Sequence, residues 1–366
     1  VIVTQPRIVF LVMSAVSPPG TLDQLAQALA PHTVLVHHDF SQTPDFPLRA
    51  ENVQLVPDPK RTGWAYFGFV DGIFHSLRHA LSRLEFDYLQ LLSPTCLPIK
   101  PIAQFEARAA SGVQAHFDCI DLLGDHDALM SVGYRAYTPE VSLRHLVARR
   151  ATDVYFGAST GRRDEAGIWL RSGGGQGLRA RMAELLIRSL RRPVIGGPTP
   201  DEGLRPYYGT PWFGARREIV EGMVRLFEQP GLRQYFSRLR IAEEFLFPTI
   251  LMQLVAKKGP MNHVVKKYEG AHTGFFNDGD LELLRTSGGF FARKFPDDPT
   301  ATIRLRVLDQ LVGASPRITH DTVSAMRDPA WNAPRSSAPS PRTGAAVGTG
   351  VLKPAPVSTL KTEPGS

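Results

Sequence analysis

IVFLVMSAVSPPG, Ile8 to Gly20, is an unbroken apolar run that ends in small and polar residues and then in Pro18-Pro19-Gly20. A run without polar alternation suits a parallel strand covered on both faces. After it, Thr21 and Gln24 form a capping-box pattern that opens the helix TLDQLAQALA. Working outward, TVLVHHD (Thr33 to Asp39) reads as a second strand and VQLVP, beginning at Val53, as a third. From Trp64 to Leu84, Phe67, Val70, Phe74, Leu77, Leu81 and Leu84 recur at spacings of three and four, which predicts one helix with one apolar face. YLQLLS, Tyr88 to Ser93, is the next strand. Strand, helix, strand, strand, helix, strand is the grammar of an α/β fold with a mostly parallel open sheet, whose ligands bind beyond the carboxyl ends of the strands. Ser14, His37-His38-Asp39 and Ser93-Pro94-Thr95-Cys96 occupy those ends.

Downstream, residues 124–206 read as an irregular insert rich in Arg and Gly. Order returns with PWFGARREIVEGMVRLFEQ from Pro211, then the apolar helix EEFLFPTILMQLVAKK, and then a short helix from Asp278 leading into GGFFARKF, Gly288 to Phe295. The expected organisation is one α/β domain over residues 1–310, an extension over 311–332, and a tail over 333–366. That tail is dense in Pro, Gly, Ser, Thr and Ala, so it lacks the apolar surface to offset chain entropy and is expected to be disordered.

With 43% hydrophobic and 21% charged residues among 366, the composition is that of a globular protein. Cys96 and Cys119 are too few for a disulfide framework. No apolar run approaches the ~20 residues of a membrane span. No basic segment precedes the Ile8–Met13 run, so no signal peptide is expected, and the chain reads as cytoplasmic. The formal charge of +7 is concentrated in the tail and in the arginines between Arg162 and Arg192. No basic stripe interleaved with aromatics appears, which argues against a nucleic-acid partner. Within the Arg-rich stretch, LRARMAELLIRSLRR (Leu178 to Arg192) has the pattern of a basic amphipathic helix. Two readings fit it: a helix packed on the core with a solvated Arg face, or a peripheral anchor on the anionic inner face of a membrane.

Four segments, in order, resemble the Core-2/I-branching glycosyltransferase family, which includes branching N-acetylglucosaminyltransferases and peptide xylosyltransferases. They are VHHD (Val36 to Asp39), YLQLLSPTCLPIK (Tyr88 to Lys100), GTPWFGARREIV with AEEFLFPTIL, and SGGFFARKF. The resemblance implies a GT-A-like, Rossmann-like single catalytic domain. It implies an inverting transfer from a UDP-sugar, N-acetylglucosamine or xylose, to a hydroxyl of a glycan or lipid-linked acceptor. The product is then β-linked, and neither a metal nor another cofactor is required. Carried over by position, Glu244 is the base and Arg293 and Lys294 hold the diphosphate. Ser14, His37, Asp39 and Ser93 line the nucleotide side, and Trp212 and Glu243 the acceptor side. Two departures stand out: Cys96 replaces the family's Asp, and Ser14-Ala15-Val16 replaces a segment that often holds a His. They motivate an alternative reading as a catalytically inactive, glycan-binding relative.

Plainer readings accompany these residues. Glu243 and Glu244 at a helix start complement the helix dipole, and Pro248 interrupts that helix or marks its first turn. Asp125-His126-Asp127 spells the Asp-x-Asp of metal-dependent GT-A enzymes, the second alternative. Gly173-Gly174-Gly175-Gln176-Gly177 lacks the Lys-Ser/Thr of a phosphate loop and reads as a plain loop.

Overall fold

In the computed structural model, residues 5–313 are described apart from 134, 136–141, 158–160, 166–167, 191–203, 230, 267 and 270–271. The 333–366 tail and all but the first three residues of the 311–332 extension lie outside the described residues.

β1 (Ile8–Ser14) is buried along its whole length and runs parallel to β2 (Thr33–His38) on one side and β4 (Tyr88–Leu92) on the other. β3 (Val53–Leu55) extends the sheet beside β2. Beyond β4 come β11 (Gly214–Arg216), β6 (Ala115–His116) and β12 (Lys258–Gly259), giving the order β12-β6-β11-β4-β1-β2-β3. β11 runs against both of its neighbours, and every other pair is parallel. The order departs in both directions from the β1–β4 boundary, which is therefore the topological switch point of an open α/β sheet.

Alternation along the strands divides the core into two layers. Val9, Leu11, Met13, Leu89 and Leu91 face one side, packed with α2 (Gly68–Arg83), α7 (Arg217–Phe227) and α9 (Glu243–Leu254). Ile8, Phe10, Val12 and Leu92 face the other, packed with α1 (Pro19–Ala28), α3 (Ile102–Ala109), α10 (Leu281–Thr286) and α11 (Thr302–Val307). Phe74 and Phe227 stack at 3.7 Å between α2 and α7. Each such fully buried ring contributes about 1.5–3 kcal/mol.

A second, three-stranded sheet joins β5 (Leu97–Pro98), β16 (Phe291–Arg293) and β13 (His263–Val265). β5 follows β4 through the tight turn at Ser93–Cys96, so this small sheet grows from the carboxyl end of the main one. β7 (Cys119–Asp121) pairs with β10 (Tyr207–Gly209), and β10 packs on α9. The hairpin β14 (Tyr268–Glu269) and β15 (His272–Thr273) and the short α8 (Leu232–Phe236) complete these connections.

Two expectations are corrected. The capping box at Thr21 and Gln24 does not form: α1 starts at Pro19, whose fixed φ suits a first helical position, so Thr21 is already inside the helix and fully buried. The stretch 124–206 is not irregular throughout. Its described residues hold α4 (His126–Val132), α5 (Leu143–Phe156), the hairpin of β8 (Gly161–Glu165) and β9 (Ile168–Ser172), and α6 (Gly177–Leu190). α6 coincides with the amphipathic pattern at Leu178–Arg192, whereas the Arg-rich α5 and the hairpin carry little apolar period.

Candidate functional site

The turn after β4 is held by sulfur. Cys96 Sγ accepts the Ser93 N–H at 3.3 Å and contacts Ser93 Oγ at 3.3 Å, and Ser93 Oγ also bonds Thr95 Oγ1 at 3.1 Å. A carboxylate at position 96 would accept the same N–H, so Cys96 keeps the turn while removing a charge. The thiol is fully buried, 3.8 Å from His263 Nε2. Burial first, then the charge of Arg293, lowers the His263 pKa to about 3, so the imidazole is neutral.

Trp212, Arg293 and Lys294 meet beside this turn. The Arg293 guanidinium lies 4.2 Å from the Trp212 ring centroid, and Trp212 packs on His263 with centroids 5.6 Å apart. The Phe295 N–H donates to the Thr95 carbonyl at 2.9 Å, tying the Arg293-Lys294 segment to the turn. Lys294 Nζ lies 4.7 Å from the Phe275 ring centroid, and burial first, then Arg293, lowers its pKa. Two cations on aromatic platforms thus stand next to the end of β4. Trp212, expected on the acceptor side, is 5% exposed and forms a platform beneath Arg293.

At the ends of β1 and β2 the side chains separate. Ser14 Oγ bonds His38 Nδ1 at 3.1 Å, and His38 Nε2 reaches the Thr43 carbonyl at 2.9 Å. Ser14, at the end of β1, thus meets an imidazole carried by the neighbouring strand. His37 turns to the opposite face. Its Nε2 accepts the Lys60 N–H at 2.9 Å, and its ring approaches α2 where Gly72 leaves room. Strand alternation therefore places His38, and not His37, beside Ser14. Asp39 accepts from Ser41 N and Oγ, Gln42 Nε2, and Thr62 N and Oγ1, at 2.6 to 3.0 Å. Burial raises its pKa, but these donors outweigh it and hold the carboxyl below the usual range. It ties the β2 end to the 60–62 loop, and no lone pair is reserved for a ligand.

The acidic pair opens α9. Tyr208 Oη donates to Glu244 Oε2 at 2.9 Å, and Arg135 forms an ion pair with the same oxygen. Among the described residues no group donates to Oε1. Glu243 Oε2 is shut off from solvent and receives no hydrogen bond from a described group. Burial first, then the Glu244 charge, pushes Glu243 up to about 8. Pro248 is inside α9; it has no N–H for the carbonyl four residues back, that of Glu244. β10 carries Tyr208, four residues before Trp212, and so connects the acidic pair to the basic one along the chain.

Arg135, Tyr208 and His263 were not anticipated from sequence, and His38 was placed at a strand end without a role of its own. Arg135 falls in the poorly legible 124–206 stretch and Tyr208 just beyond it, and His263 carries no local pattern. Asp125 caps α4 by accepting the Ala128 N–H at 2.8 Å, and Asp127 accepts the Gly173 N–H at 3.0 Å. These two carboxylates hold different backbone segments, and no cluster of three metal-ligating side chains occurs among the described residues. Elsewhere, the cleft at Asp71, Arg78, Glu228 and Arg233 is internally paired, Arg233 with Asp71 at 2.7 Å and Arg78 with Glu228 at 2.8 Å.

Neither a protein-family model nor a curated protein sequence matches the chain. Among solved structures it is similar to one titled as the apo structure of WbbM, a bifunctional glycosyltransferase, with 8% identity and a TM-score of 0.34. The match covers 84% of this chain and 52% of that one, so the chain spans about half the length of that protein.

Proposed function

We propose that this protein is an inverting glycosyltransferase of GT-A-like fold that moves a sugar from a UDP-sugar to an acceptor hydroxyl. The observation that carries the reading is the placement of Arg293 and Lys294 against the Ser93–Cys96 turn, at the carboxyl end of β4 beside the switch point. Open α/β sheets bind nucleotides there, and a departing diphosphate develops charge that fixed cations stabilise. The resemblance to the Core-2/I-branching family supports the same assignment at Glu244, Arg293 and Lys294.

In this reading the acceptor hydroxyl gives its proton to Glu244 Oε1 while its oxygen attacks the anomeric carbon from the face opposite the diphosphate. The bond from that carbon to the phosphate oxygen breaks, and the electron pair leaves with UDP. An α-linked donor then gives a β-linked product. Arg135 and Tyr208 fix Glu244 through Oε2 and leave Oε1 for the proton, a division of labour expected of a positioned general base. Glu243, kept protonated, adds no second negative charge beside it. Arg293 and Lys294 neutralise the leaving group, and no metal is needed for that step. Ser14, His38 and Ser93 border the nucleotide side.

Donor hydrolysis by the purified protein, screened with UDP-N-acetylglucosamine, UDP-xylose and UDP-glucuronate with and without a chelator, tests this. Slow release of UDP from one donor, unaffected by chelation, is expected. Loss on chelation restored by manganese would return the metal-ligating role to Asp125 and Asp127, and no turnover or binding of any donor would leave the inactive, glycan-binding alternative.

A further inference from the structure

α5 and α6 pack against one another, and each carries a second apolar set besides the one it buries. Inward they bury Ala148, Ala151, Tyr155, Phe156, Ala180, Ala183 and Ile187. Outward they present Leu143, at 77% exposed, with Leu146, Val147 and Val154, and Leu178, also 77%, with Met182, Leu185 and Leu186. Spacings of three, four, seven and eight keep each set on one helix face. Globular helices turn such stripes to the core. Contiguous apolar patches of this kind mark a surface that something covers.

The charges around the stripes have one sign. Arg149 and Arg150 on α5 and Arg179 and Arg181 on α6 are exposed, and among the described residues none has a carboxylate partner. The two acids of the pair of helices are already engaged, Asp153 with Arg171 at 2.8 Å and Glu184 with Arg188 at 2.7 Å. Leu143, Leu178 and Leu185 are more than half exposed, so they are free to enter a soft apolar medium. Arginine stems are long enough to let the guanidinium reach headgroups while leucines enter the acyl boundary.

We infer that the outer face of the α5–α6 pair is a docking surface for an anionic lipid bilayer, the leucines and Met182 entering it and the arginines meeting lipid phosphates. None of its residues belongs to the acidic or the basic pair, and the inference holds whether or not the chain transfers sugar. If it does, the membrane is where its acceptor is carried.

The test is co-sedimentation of the full chain with vesicles of phosphatidylglycerol and phosphatidylcholine, against pure phosphatidylcholine, at low and high salt. Two surface variants accompany it: Leu178→Ser with Met182→Ser and Leu185→Ser, and Arg149→Gln with Arg150→Gln, Arg179→Gln and Arg181→Gln. Wild type is expected on anionic vesicles alone, ~10-fold or more weaker at high salt because four unpaired arginines are screened. Each variant should lose binding by at least ~10-fold while its thermal melt stays that of wild type. Failure to bind anionic vesicles, equal binding to neutral ones, or wild-type binding by the arginine variant would overturn the proposal. So would a wild-type dimer in light scattering that the leucine variant abolishes, because the face would then be an interface between copies of the chain.

Discussion

Glu243 and Glu244 are neighbours in sequence with carboxylates in opposite circumstances: Arg135 and Tyr208 both engage Oε2 of Glu244, while Oε2 of Glu243 is buried without a donor. Burial first, then the neighbouring carboxylate, pushes Glu243 up to about 8, so it keeps its proton at neutral pH. In the proposed reaction Glu244 is the base.

Glu244→Gln removes proton acceptance and keeps shape, so transfer should fall by ~10²–10⁴-fold with UDP affinity unchanged. Glu243→Gln imitates a protonated acid and should stay within a few-fold of wild type at pH 7. Parallel rate and calorimetric measurements on both variants check this; a collapse in Glu243→Gln alone would move the base by one residue.

Stability should depend on pH at both ends of the range. Folded Glu243 holds its proton up to about pH 8. Between its ordinary unfolded value and pH 8 the folded state binds more protons, so this contribution is full at acid pH and is lost as pH rises. His37, His116 and His263 act in the opposite direction. Burial lowers them to about 4, 4 and 3, so the stability they bring is present above the ordinary histidine value and is lost as pH falls through the range below it. Urea titrations of Glu243→Gln should match wild type near pH 5 and exceed it at pH 8 by ~1 kcal/mol or more, since one pKa unit corresponds to ~1.4 kcal/mol. A variant weaker than wild type at pH 8 would contradict the buried-acid account.

UDP binding should weaken by ~10-fold or more in Arg293→Ala and in Lys294→Ala, each of which loses a charge-assisted contact worth ~1.5–3 kcal/mol. Trp212→Leu should weaken it as well, because the ring beneath Arg293 is gone although Leu brings no polar change. Isothermal titration with UDP gives all three values, and an unaffected Trp212→Leu would remove the platform role.

Asp39→Ala leaves donors from Ser41, Gln42 and Thr62 without their acceptor, so it should destabilise the fold by about 2–4 kcal/mol while UDP affinity per folded molecule changes little. A large loss of affinity at full stability would return Asp39 to the nucleotide side.

The periodic parts of the chain were legible. The apolar run at Ile8, the three-four spacing from Phe67 to Leu84 and YLQLLS became β1, α2 and β4 with ends close to those expected, because burial on both sheet faces leaves a continuous signal. The three-dimensional partners of the acidic pair were not legible. Nothing near Glu244 in sequence indicates Arg135, which is brought to it by α4 and the segment that follows, nor does a sequence say which of two adjacent histidines a strand will turn toward Ser14. Residue type located the charges at Arg293 and Lys294; only packing revealed that each rests on a ring.

The antiparallel insertion of β11 also sets an order of assembly. β3, β2, β1 and β4 are all made within the first 92 residues, yet the free edge of β4 gains its partner only when Gly214–Arg216 arrive. During synthesis a nascent half-sheet therefore waits with an unpaired backbone edge beside Tyr88, Leu89 and Gln90. Long-range closure of this kind slows folding and exposes an edge to association with other chains. Refolding yield should consequently fall with protein concentration, and a peptide spanning the β11 strand added in trans should raise it.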